Sequence, residues 1–234
     1  AHLYPKLLNL YGDMGNVITL VKRCQWRGIT VEFENVDIGD SIKDHDLYFI
    51  GGGQDKQQEE VAQELYSHKA ELTAQRDDGA VFLGICGGYQ LFGHYYQPHD
   101  KDKLVGLSLI DAYTVAGKKR FIGNVTVKTD FLTPNTLVGF ENHSGLTYLQ
   151  GETVPLGIVS VGNGNNGKDG FEGGRFKNVF GTYLHGSLLP KNPHFADYLI
   201  SLALEKRYGE KIELSKLDDT LEYSAHESVV GKKY

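Results

Sequence analysis

The chain has 234 residues, 40% of them hydrophobic, which is enough for one core domain of about 200 residues and a C-terminal extension. Its formal charge of −6 comes from mixed acids and bases with no Lys/Arg block, which excludes the clustered basic stripe of a nucleic-acid surface. No apolar run approaches the roughly 20 residues that span a bilayer, and the first residues carry no signal-peptide pattern, so the expected location is cytoplasmic, without direct membrane insertion.

Taken in chain order, "KLLNLY" (6–11) is a short apolar run ending at Gly12. Behind it Val17, Leu20, Val21 and Cys24 fall at helical spacing, with Asp13 or Asn16 available as a cap. Cys24 on that face reads as core. "ITVEFENV" (29–36) alternates like a strand, and "DLYFIGGG" (46–53) is a β-type run halted by three glycines. From 55 to 75 a helix places Val61, Leu65 and Leu72 on one face. "GAVFLGI" (79–85) is the next strand, and 88–92 opens the next helix. Alternating strands and helices imply crossovers and a fold of class α/β: an open, mostly parallel sheet with helices on both faces.

From about 120 to 184 the pattern changes to strands with turn-rich connections, "RFIGNVTVKT", "LVGFENHSG", "LGIVSVGNGNNGKDG" and "KNVFGTYLHG", which read as antiparallel strands added to that sheet. The glycine-rich run "VGNGNNGKDGFEGG" is followed by no helical pattern, so it reads as a mobile hairpin or loop rather than an anion-binding loop. Asn192 and Pro193 form a cap and first turn for a helix carrying Phe195, Tyr198, Leu199, Leu202 and Ala203. The tail has Leu214, Leu217 and Leu221 at helical spacing. The expected division is a domain over 1–208 and an extension over 209–234 that docks on the domain or on a partner.

Cys24 and Cys86 sit in unlike contexts, so free thiols are expected rather than a disulfide. Cys86 lies in "AVFLGICGGYQLFG", between a buried strand and two glycines. A thiol on a sharp strand-to-helix turn is exposed, and the helix N-terminus beside it favours the thiolate. The alternative for such a residue is a small buried core cysteine. A thiol nucleophile needs a base. Of nine histidines, His2, His45, His68, His99, His194 and His226 lie in polar segments that read as exposed, and His94 follows Cys86 on a helix that points it away. His185 closes "NVFGTYLHG" and should emerge at the same sheet edge as Cys86, which makes it the preferred base. His143, in "FENHSG", reads as part of a loop at a strand end and is the second candidate. Backbone N–H groups of Gly53, in the triple glycine 51–53, and of Gly87 would form an oxyanion hole.

With "GICGGYQ", "GGGQD" and "GTYLHG", the chain resembles the class I glutamine amidotransferases, and within them the cobyric-acid-synthase-like group, over roughly residues 5–205. "NLYGDMGN", "GKKRFIGN" and "GFENHSG" are similar to segments of the glutaminase subunits of lipid II isoglutaminyl synthases. The resemblance implies that Cys86 is the nucleophile and His185 the base, that Gly53 and Gly87 are the oxyanion positions, and that Gln90 and Asn142 hold the amino-acid end of glutamine. It also implies that Arg120 contacts glutamine. Free glutamine is a zwitterion, for which Arg120 suits the carboxylate and Gln90 the ammonium.

Many class I members read His-x-Glu, but here the sequence is His185-Gly186-Ser187, as in the cobyric-acid group. The orienting acid is therefore expected from a partner chain, the alternative being a Cys-His dyad oriented by a backbone carbonyl or by another acid of this chain such as Glu141. There is no G-x-x-x-x-G-K-[ST] loop, and the glycine-rich run 162–167 lacks the helix a dinucleotide fingerprint needs. No cofactor or metal site is thus expected in this chain. ATP and Mg are expected on a MurT-like, Mur-ligase-like partner in a heterodimer, which the resemblance implies would activate the D-glutamate carboxyl of the lipid II stem peptide. The competing readings are a cobyrinate-type acceptor, a stand-alone thiol hydrolase such as a γ-glutamyl hydrolase, and a non-catalytic scaffold.

Overall fold

The computed structural model describes residues 1–10 and 12–232. The first half alternates β1 (His2–Leu3), α1 (Met14–Trp26), β2 (Asn35–Val36), β3 (Leu47–Ile50), α2 (Asp55–Ser67), α3 (Lys69–Asp77), β4 (Val81–Ile85) and α4 (Gly87–Phe92). The second half runs through β5 (Tyr95–Gln97), β6 (Leu104–Val105), β7 (Ala112–Lys128), β8 (Thr136–Leu149), β9 (Gly157–Val161), β10 (Phe171–Glu172), β11 (Gly174–Phe176) and β12 (Val179–Thr182) to α5 (Pro193–Tyr208) and α6 (Thr220–Glu227).

The first sheet has the order β11-β12-β4-β3-β1-β2, parallel throughout except for the antiparallel edge strand β11. All five residues of β4 are buried, as a central strand covered on both faces requires. Successive side chains point to opposite faces. Accordingly Ile50 and Phe82 pack with Val61, Leu65 and Leu72 of α2 and α3, while Phe49, Val81 and Leu83 pack with Val17, Leu20, Phe195 and Leu199 of α1 and α5.

Several sequence expectations change. The strands beyond 120 mostly build a second sheet, β10-β9-β7-β5-β6 with β8 on β7, and only β11 and β12 join the first. β7 and β8, of 17 and 14 residues, are far longer than their parallel neighbours and satisfy their ladders against each other. The strand expected over 29–36 contributes only Asn35–Val36 to a ladder, and the first strand lies ahead of the 6–11 run, whose last residue, Tyr11, is outside the described residues.

The glycine-rich run is a packed turn rather than a mobile loop: Asn165 and Asn166 are buried. It does hold an anion, but an internal one, because the N–H groups of Asn163 (2.9 Å) and Gly164 (3.0 Å) donate to the Glu141 carboxylate.

In the extension the helix is limited to α6, and Leu221 is 81% exposed, so the leucine spacing does not mark a buried face. Leu214 packs against the edge of the core, and polar groups hold the segment as well. Arg23 of α1, 1% exposed, donates from Nε to Asp197 and from Nη1 to Asp219, both at 2.6 Å. His226 bridges Thr136 Oγ1 (2.9 Å) and the Lys191 carbonyl (2.8 Å). His226 and His2 are buried, against the sequence expectation. Residues 233–234 of the extension lie outside the described residues.

Candidate active site

β4 stops at Ile85 and α4 begins at Gly87, so Cys86 makes the whole turn. Its φ of 50° and ψ of −101° lie in a region that strains any residue with a Cβ. Close packing of α4 onto the sheet imposes this. A Cβ at Gly88 would stand 2.5 Å from the Ile50 carbonyl oxygen, and one at Gly84 2.6 Å from the Phe92 ring. The Cys86 N–H continues the parallel ladder by donating to the Thr182 carbonyl at 2.8 Å.

That ladder also delivers His185. β12 lies beside β4 in the register Gly181↔Gly84 and Thr182↔Ile85, and three residues later His185 is clamped to β8 by reciprocal backbone bonds with Phe140 (2.9 and 3.2 Å). Gly52 shows how tightly the groups converge. A Cβ there would be 3.1 Å from His185 Cε1, 3.4 Å from Cys86 Cβ and 3.4 Å from Asp13 Oδ2. Burial by itself lowers the His185 pKa, but the Cys86 sulfur and the Asp13 carboxylate outweigh it and raise the ring to about 10. The arrangement favours an imidazolium beside the thiol.

Gly53 and Gly87 approach one another: a Cβ on Gly87 would lie 3.0 Å from the Gly53 nitrogen. Gln58 braces this corner, its Nε2 donating to the Gly53 carbonyl (3.2 Å) and to Gln90 Oε1 (3.1 Å). Gln90 in turn donates one N–H to the Tyr183 hydroxyl at 3.1 Å, so its amide is held from both ends within the protein, and a ligand would meet the second N–H and the remaining acceptor capacity of Oε1. Arg120 stands where the β7–β8 ladder breaks register between Ala116 and Phe121, and its Nε donates to Asn142 Oδ1 at 2.6 Å. A cavity of ≈ 460 Å³ is lined by Gly53, Cys86, Gln90, Arg120, Asn142 and His185, with Gly87 at the elbow behind it.

His143 does not lie in a loop. It sits in the middle of β8, buried, stacked on Tyr183 at 3.6 Å between ring centroids, with Nδ1 donating to the Gly145 carbonyl at 2.8 Å. Burial pushes its pKa down to about 3, so it forms a neutral wall of the cavity. Glu141, the in-chain acid expected beside His185, is spent on the 163–164 turn, and His143 is the histidine it approaches, at 3.9 Å. His94 pairs with Asp111 at 2.8 Å. Gln58 and Asp13 are the residues that sequence reasoning missed. Asp13 carries a legible signal, an acid between Gly12 and Gly15, but that spacing also fits a helix cap.

Residues 1–193 match the CobB/CobQ-like glutamine amidotransferase domain. The chain is 39% identical to the GatD subunit of the glutamine-hydrolyzing lipid II isoglutaminyl synthase of Streptococcus pneumoniae, over 94% of this chain and 86% of the relative. It is 40% identical to the same subunit from Staphylococcus aureus, over 99% and 94%. A probable cobyric acid synthase of Methanococcus maripaludis is 39% identical over 62% of this chain, which corresponds to only 30% of that protein. In three dimensions the fold is shared with a crystal structure of a glutamine amidotransferase (TM-score 0.61, 16% identity, covering 86% of this chain and 98% of the other). It is also shared with PurLQS from Thermotoga maritima (TM-score 0.60, 15% identity, 89% and 97%). With a strained thiol and a histidine meeting over Gly52, and a family match that spans most of its length, this chain belongs to the CobB/CobQ-like glutamine amidotransferases.

Proposed function

We propose that this chain is the glutamine-hydrolysing subunit of a lipid II isoglutaminyl synthase, working by a Cys86–His185 mechanism. The observation that carries the reading is the convergence of Cys86, His185 and Gly53 on one cavity of ≈ 460 Å³, with Gly87 packed against Gly53. The Cys86 sulfur forms a bond to the side-chain carbonyl carbon of glutamine, and the electron pair moves to the amide oxygen, which the Gly53 and Gly87 N–H groups receive. When the carbonyl reforms, the carbon–nitrogen bond breaks, and the nitrogen takes a proton from His185 and leaves as ammonia. Water then attacks the thioester, returning a proton to His185. The carbon–sulfur bond breaks, and glutamate leaves. Arg120, held by Asn142, receives the substrate carboxylate, and Gln90 supports the ammonium end.

Ammonia is useful only beside an activated carboxyl, and two relatives that align with nearly the whole chain are named as subunits. A MurT-like, Mur-ligase-like partner that binds ATP and Mg and activates the D-glutamate carboxyl of lipid II fits that requirement. No helix among the described residues is long and apolar enough to cross a membrane; we place the reaction in the cytoplasm, where ATP is available to the partner.

Cys86→Ala tests the reading. In the complex with the ligase it should abolish glutamine-dependent amidation and spare amidation driven by added ammonia. Loss of the ammonia-driven reaction in an intact complex would refute the division of labour. Full amidase or hydrolase turnover by the chain alone, with no response to the ligase, would establish a stand-alone thiol hydrolase.

A further inference from the structure

Ser187 occupies the place where many class I amidotransferases carry the acid that orients the histidine. In this chain it holds a left-handed backbone, φ 48°, which is costly for a residue with a side chain. Its Oγ donates to the Gly12 carbonyl at 2.6 Å. The side chain is wedged into the turn ahead of α1: a Cβ on Gly15 would come within 2.2 Å of Ser187 Oγ, and one on Gly12 within 3.3 Å. Gly15 leaves the room it needs, and Gly12 holds a left-handed φ of 83° that favours glycine.

Between those glycines stands Asp13, 0% exposed. It precedes α1, yet among the described residues its side chain makes no cap bond to the helix. Oδ2 accepts the Gly52 N–H at 2.6 Å. Oδ1 has no hydrogen-bond partner among the described residues and lies 3.7 Å from His185 Nδ1. A buried carboxylate oxygen without a donor is expensive unless it faces a cation, and an imidazolium at His185 supplies one. At 3.7 Å the contact is an ion pair rather than a hydrogen bond, and contacts of this kind shorten when substrate closes the site. Among the described residues, the titratable groups acting on His185 include Cys86 at the elbow, Asp13 ahead of α1 and His143 on β8.

We propose that Asp13 is the acid that orients His185, and that Ser187 is a positioning residue that pins the turn 12–15 so that the Asp13 carboxylate reaches the ring. The inference rests on the Cys86–His185 reading above and deepens it: the residue that replaces the missing acid recruits another acid, from the opposite end of the chain. The orienting group then belongs to this subunit and is not borrowed from the ligase.

The test uses the assembled complex. Asp13→Asn should lower glutamine-dependent kcat by roughly 10²- to 10⁴-fold, with glutamine KM changed by less than about threefold and ammonia-driven amidation intact. The pH dependence of Cys86 alkylation by iodoacetamide should shift, because the imidazolium that supports the thiolate loses its counter-charge. Ser187→Gly accepts the left-handed φ, so its fold is unstrained, but it loses the bond to Gly12. It should lose kcat by roughly 2- to 13-fold, the worth of one neutral hydrogen bond, with an alkylation shift in the same direction. Wild-type kcat and alkylation profile in Asp13→Asn would overturn the proposal. If that variant fails to assemble, an unshifted profile in Ser187→Gly would overturn it. Glutaminase activity persisting in Cys86→Ala would instead remove the underlying reading.

Discussion

Replacing Glu172 by Gln should change how stability depends on pH by a predictable amount. Glu172 is fully buried at the end of β10. It accepts from Thr182 Oγ1 (2.9 Å to Oε2) and from the Tyr183 N–H (2.7 Å to Oε1), tying the second sheet to the strand end that leads into His185. Burial raises its pKa, and the Tyr183 N–H and Thr182 hydroxyl recover only part of the shift, so the carboxyl titrates at about 7 instead of 4.5.

At roughly 1.4 kcal/mol per unit, that displacement corresponds to about 3 kcal/mol. The folded protein binds this proton more tightly than the unfolded chain does. The contribution to stability is therefore complete below 4.5 and is lost as pH rises through about 7. Gln keeps an acceptor for the Tyr183 N–H, the Thr182 hydroxyl can turn to accept from the new amide, and no proton remains to be lost. Urea unfolding of both proteins across a pH series gives the assay, and the difference between them cancels the other carboxylates. The Gln variant should gain about 3 kcal/mol relative to the parent between about pH 4 and about pH 8.5. A difference that stays flat over that range would refute the burial argument.

Arg120→Ala should raise the glutamine KM by roughly 10- to 150-fold, the worth of a charge-assisted bond to the substrate carboxylate, and Arg120→Lys should recover only part because an ammonium lacks the planar fork. Unchanged steady-state glutaminase kinetics would remove Arg120 from the site. Arg23→Ala leaves Asp219 without its arginine and Asp197 with Arg27 alone, and should cost about 1–3 kcal/mol in urea unfolding, with segment 209–232 newly open to protease. Unaltered stability and protection would show that packing, not this ion pair, holds the extension.

The elbow was legible because its signal is local. A buried strand, a thiol and two glycines lie within a few residues, and the requirement for a tight turn acts on those same residues. His185 was legible for a related reason: a β-rich run ending in His-Gly places a ring at a strand end, and parallel strands end at the same edge. His143 was misplaced because the polar letters of "FENHSG" suggest a loop, whereas the inner face of β8 buries Glu141, held by the 163–164 turn, and His143, stacked on Tyr183, and both contacts are distant in sequence. The glycine-rich run was misjudged for the converse reason. Its flexibility in sequence is removed by Glu141, 22 positions away.

The sequence by itself determined the alternation of strands and helices, the α/β class and the strand-to-helix turn that carries Cys86, because backbone periodicity and turn stereochemistry act over a few residues at a time. Only the tertiary structure decided which strands form the second sheet, that Gln58 braces the Gly53–Gly87 corner, and that Asp13 faces His185 while the Ser187 hydroxyl bonds the turn ahead of α1. Those contacts join residues up to 175 positions apart. They exist because β12 enters the first sheet beside β4, bringing the end of the chain against its beginning, and no local pattern of residues encodes that register.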